Sequence, residues 1–170
     1  MKSNIVLITS LFVLLIASRL ITEIPNFTPT IALVMFTGYL ITNRYLAILV
    51  ILSSQIISDL YIGIYSSMVF VYGAYVLIAA LMPTIIKSFN IKSMLIASFI
   101  SPTLFYIITN FGVWITGSMY PLSIAGLLSC YVAGIPFFDE SLISTVLFTV
   151  TIYFACLLYT SDAADDLVGV

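Results

Sequence analysis

Arg19 and Glu23 stand four residues apart, and Asn26 and Thr28 follow between Pro25 and Pro29. Gln55 and Asp59 repeat the four-residue spacing, which puts both on one face of a helix. Asn110, Trp114 and Tyr120 form a third group of amide and aromatic side chains. Together these residues offer one cation, two carboxylates, amides that both donate and accept, two hydroxyls and flat rings. Such a set captures a small polar solute through hydrogen bonds and an ion pair. Bond-breaking chemistry needs a nucleophile beside a base, or a metal, and neither pattern is present. The chain has no His, and its two Cys, Cys130 and Cys156, lie far apart. A Ser-His-Asp triad, a Cys/His zinc site and a disulfide framework are therefore excluded. No Walker A sequence exists either. We expect no enzyme activity, no catalytic residue, no metal site and no cofactor.

Each of these residues also has a plain structural use. Arg19 can snorkel from a span end to the interface. The Pro-rich stretch can simply turn the chain. Gln55 and Asp59 can hydrogen-bond between helices, and Trp114 and Tyr120 can sit in an aromatic belt.

The elements that must position them are membrane spans. Of 170 residues, 62% are hydrophobic and 7% charged, against about 45–50% and about 25% in soluble domains. That composition excludes a soluble enzyme, and five scattered Lys and Arg residues form no patch for nucleic acid. A span needs about 20 apolar residues. Apolar runs begin at Ile5, Thr30, Tyr45, Ser67, Ser93 and Ser141, each ended by a charge, a polar turn or a proline. Leu122 to Ala133 reads as a shorter apolar helix, broken by the segment Gly134 to Glu140. The expected fold is all-α: six transmembrane helices plus one short interfacial or re-entrant helix, with seven spans as the alternative. Lys2, Arg44, Lys87 and Lys92 fall on one side of such an arrangement, and Glu23 and Asp59 on the other. The positive-inside rule then puts the N-terminus in the cytoplasm.

Residues 156–166, Cys-Leu-Leu-Tyr-Thr-Ser-Asp-Ala-Ala-Asp-Asp, differ from the rest in composition. They resemble the conceptual translation of a transposon-end adapter used in sequencing libraries. We therefore expect one transmembrane domain over residues 1–155 and a non-native tail over 156–170. Setting the tail aside leaves five cations against four acids, so the net charge moves from −2 to about +1.

Several segments together resemble an uncharacterised family of small bacterial multi-pass membrane proteins. They are Arg19 to Pro29, Ser58-Asp-Leu-Tyr-Ile-Gly63, Thr109-Asn-Phe-Gly-Val-Trp114, Tyr120-Pro121, Gly126 to Tyr131 and Ala133 to Asp139. That family is similar to the substrate-capturing S components of energy-coupling factor transporters. The resemblance implies six helices, a solute site near the outer face, residence in the bacterial cytoplasmic membrane, and no ATPase within the chain. It also implies a transmembrane coupling subunit with ATPases as a partner, beside the lipid bilayer and an unknown small polar solute. The first span departs from S components in lacking an Ala-x-x-x-Ala pair.

The leading expectation is a membrane-embedded binding and uptake component with Arg19, Glu23, Asn26, Thr28, Asp59, Asn110, Trp114 and Tyr120 at its site. The alternative is a non-transporting membrane scaffold or assembly partner, whose polar loops would contact another protein. Reading the locus again from a library made without transposon ends is expected to give a different sequence after Ala155. Recovery of the same residues would make the tail native.

Overall fold

The computed structural model describes residues 2–21, 24 and 26–168, with backbone alone for 2–4 and 159–168. Among these residues there are six helices and no strand. They are α1 (Lys2–Leu20), α2 (Thr30–Leu40), α3 (Arg44–Ile62), α4 (Met68–Ile85), α5 (Ile91–Thr116) and α6 (Ile124–Val168). The polar turns set the boundaries. Asn43 caps α3 by accepting from the Leu46 N–H at 3.2 Å, and Asn90 caps α5 by accepting from Ser93 at 2.9 Å. Gly63 ends α3 at φ 118°, a backbone angle that side chains disfavour, with its N–H on the Asp59 carbonyl.

The short helix α2 is the axis of the bundle, since it packs against all five other helices. Every residue from Thr30 to Gly38 is buried, which explains why this helix is apolar all round. Elsewhere the usual polarity is reversed. Ser54, Gln55, Ser58, Asp59, Ser98, Ser101, Ser144 and Thr145 are buried, while Leu14, Ile57, Phe99, Leu128 and Ile143 are at least 45% exposed. Helices α3, α4, α5 and α6 (over Ile124–Leu158) are long and apolar enough to cross a membrane, and α1 and α2 are shorter apolar helices. Such a surface is compatible with a lipid surround.

Two expected boundaries move. Asp59 lies within the last turn of α3 rather than in a connection. The expected break between Gly134 and Glu140 is absent, so the short helix and the final span are one continuous helix through Pro136. Pro136 removes one helical N–H and crowds the Val132 carbonyl, a disturbance that neighbouring helices can accommodate. Gly134 is not a turn residue either. A Cβ there would collide with the Asn110 Oδ1, so the glycine makes room for a side chain of α5. From Ser141 onward α6 runs the length of the bundle to Tyr153, which stacks on Phe89 at the far end.

At Gly38 the backbones of α2 and α4 cross closely. Pro83 lies inside α4 and gives the Ala79 carbonyl no helical donor. A Cβ on Gly38 would lie 2.5 Å from both the Cα and the carbonyl oxygen of Ala79. Backbone is there, so nothing flexible can yield. Gly38→Ala is expected to cost roughly 1–3 kcal/mol as overpacking, read as a lower Tm in nanodiscs. Gly73→Ala, with no neighbour within 4 Å of its Cβ, is expected to hold or raise Tm. Equal Tm losses would remove the close-crossing explanation.

Candidate functional site

Arg19 occupies the last turn of α1, where its side chain reaches across to α3. Its Nη1 donates to Gln55 Oε1 at 2.6 Å, and its Nη2 pairs with Asp59 Oδ1 at 2.5 Å. Gln55 and Asp59 are one turn apart, which lets one guanidinium engage both. Asp59 Oδ2 accepts from the Tyr72 hydroxyl of α4 at 2.8 Å. Asp59 Oδ1 has no hydrogen-bond partner of its own among the described residues, so the ion pair is what compensates that oxygen. The carboxylate side chain is 2% exposed and the Arg19 side chain 15%. A buried carboxylate of this kind is tolerable only when paired. The pair thus ties α1, α3 and α4 together at one end of the bundle.

Beside it lies a cavity of about 380 Å³ that Arg19 helps to line. Its polar wall comes from the irregular segment before α2. Thr28 donates to Thr30 at 3.0 Å, and Thr30 shares a 2.8 Å hydrogen bond with Ser18 of α1. Asn26 stands at φ 59°, a left-handed angle that Asn tolerates better than most residues. Its carbonyl accepts from Ser144 of α6 at 3.4 Å, and the adjacent Phe27 packs on Phe148. Ile31, Val71, Phe105 and Val113 supply its apolar lining. Tyr75 stacks on Phe105 at 5.1 Å and also faces the space. Tyr65, from the connection between α3 and α4, completes the rim beside Arg19. Burial first, and then the Asp59 charge, push its phenol above the ordinary value, so it stays a neutral hydroxyl at pH 7.

The family model that matches this chain, over residues 1–164, is DUF6580, a family of unknown function. The chain belongs to DUF6580. No curated protein and no solved structure matches it.

In this DUF6580 chain the expected site residues divide by position. Arg19, Asn26 and Thr28 line the cavity, and Asp59 stands behind Arg19 rather than on the wall. Asn110 lies one step away, in a crevice of about 40 Å³ that shares Asn26, Phe105, Thr109 and Ser141 with the cavity. Its amide donates to the Tyr106 carbonyl at 2.9 Å and fills the gap at Gly134, so it serves the α5–α6 crossing. Trp114 and Tyr120 line neither space. The Trp114 indole donates to the Pro121 carbonyl at 3.0 Å and pins the connection into α6. Glu23 lies outside the described residues. Thr30, Tyr65, Thr109 and Ser141 line the cavity without having been singled out. A hydroxyl in an apolar helix is too common to mark a site, and only Tyr65, six residues after Asp59, carried a local cue.

The ion pair makes a stability prediction. Arg19→Met leaves Asp59 buried and unpaired, and is expected to cost about 3–5 kcal/mol. The double variant Arg19→Met/Asp59→Leu is expected to recover most of that loss, because no orphan charge remains. Thermal unfolding of both variants in nanodiscs checks this. A double variant as unstable as the single one would show that the pair is not the source.

Proposed function

We propose that this protein is a membrane-embedded component that binds a small polar solute for uptake and has no ATPase of its own. The observation that carries the reading is the cavity, lined by Arg19 of a buried ion pair and by the irregular segment of Asn26 and Thr28. Intramembrane charges are costly and are retained where they serve a function. Irregular backbone at such a depth is tolerated where it lines a cavity. A volume of about 380 Å³ falls in the small-molecule range of about 300–1,000 Å³.

In this reading the bundle crosses a bacterial cytoplasmic membrane. The cavity end receives the C-termini of α1, α3 and α5, and the opposite end holds Arg44, Lys87 and Lys92. The positive-inside rule supports a cytoplasmic N-terminus and a cavity open toward the outside. The likeness of Gly134–Asp139, with the size of the chain, to S components supports a transmembrane coupling subunit with ATPases as the partner. The solute is captured at the outer mouth, and movement of the helices or of the whole protein releases it inward.

Native mass spectrometry of the protein, released gently from its host membrane, tests this. A retained small molecule is expected for the native protein. Asn26→Gly, which keeps the left-handed backbone but removes the amide, is expected to retain several-fold less at unchanged expression. A native protein that carries only another membrane polypeptide and no solute would favour a scaffold role instead.

A further inference from the structure

The charge state of the cavity narrows the class of solute, an inference that rests on the binding reading above. Among the described residues that line it, Arg19 is the one ionisable group charged at neutral pH. Its charge is already spent. Nη2 lies 2.5 Å from Asp59, Nη1 is held by Gln55 at 2.6 Å, and both partners are buried behind it. A guanidinium has five N–H donors, so some remain for a guest as hydrogen bonds without net charge. An anionic guest would feel the guanidinium and the carboxylate together, and their fields largely cancel. A cationic guest would meet the guanidinium first. Either ion would lose its hydration on entry without a full opposite charge in return. A neutral guest with a polar end loses far less and is met by Arg19 N–H groups and by the hydroxyls of Thr28, Tyr65 and Thr109. Thr109 donates its own proton to the Phe105 carbonyl, which leaves its oxygen free to accept. The wall of Ile31, Val71, Phe105 and Val113 then suits an apolar body.

We propose that the cavity selects an uncharged solute that hydrogen-bonds to Arg19 and rests apolar surface on Ile31, Val71, Phe105 and Val113, and that Asp59 enforces this selectivity by neutralising Arg19.

The test uses the full chain in nanodiscs and matched amide, carboxylate and ammonium triples built on benzene, pyridine and indole rings. Equilibrium dialysis against empty nanodiscs, with mass-spectrometric counting, measures retention. The wild type is expected to retain at least one amide over its carboxylate and ammonium partners by roughly ten-fold or more. Asp59→Asn keeps the shape and uncovers the Arg19 charge, so preference should swing by about ten-fold toward the matching carboxylate. Arg19→Met/Asp59→Leu has neither charge and should still reject both ions, which separates charge from folding. Retention of a carboxylate or ammonium member by the wild type would overturn the selectivity and leave the binding role standing. An Asp59→Asn protein that folds, binds the amide and still excludes the carboxylate would also overturn it. Retention of no member by the wild type would overturn the inference and count against the binding reading as well.

Discussion

A carboxylate that is 2% exposed inside an apolar bundle must have a counter-charge, and Arg19 is the one that Asp59 has. Much of the polar end is arranged around that requirement. Arg19 must reach from the last turn of α1, so α1 lies against α3. Gln55 takes the neighbouring guanidinium nitrogen, and Tyr72 takes the second carboxylate oxygen, which brings α4 to the same point. Arg19 also faces the cavity, whose remaining lining comes mainly from the segment before α2 and from α2, α4 and α5. Removing either charge alone leaves the other orphaned, so the pair behaves as a unit.

The second organising element is α2. It is short, at 11 residues, and packs against all five other helices. A helix in that position needs apolar or small residues on every face, and it needs one place where a neighbour's backbone can approach. Gly38 is that place, against Ala79 of α4. The irregular segment before α2 enters at the ion-pair end, which is why its Asn26 and Thr28 reach the cavity, while at the other end of α2 Tyr39 stacks on Phe89.

Parts of the site were legible before any coordinates. The i,i+4 spacing of Gln55 and Asp59, and an Arg at the end of an apolar run, pointed to one polar corner because charges are expensive in such a chain. The paired prolines around Asn26 pointed to irregular backbone. Asn110 and Trp114 looked like members of the same corner because they share its end of the bundle. The structure spends both elsewhere: Asn110 on the gap at Gly134, and Trp114 on the Pro121 carbonyl. Sequence distance along a helix says which end a residue occupies, not which neighbour it faces.

The sequence by itself determined the all-helical class, the apolar outer surface, the polar turns and the separation of Arg44, Lys87 and Lys92 from the Asp59 end. Those follow from composition and from local rules of capping, proline geometry and apolar length, which act within a few residues. Only the tertiary structure decided that Arg19 meets Asp59 across 40 positions of chain, that α6 passes through Pro136 unbroken, and which hydroxyls share a cavity. Those outcomes depend on how helices rotate and cross to bury charge and fill space, and that is a property of the whole packed bundle rather than of any segment.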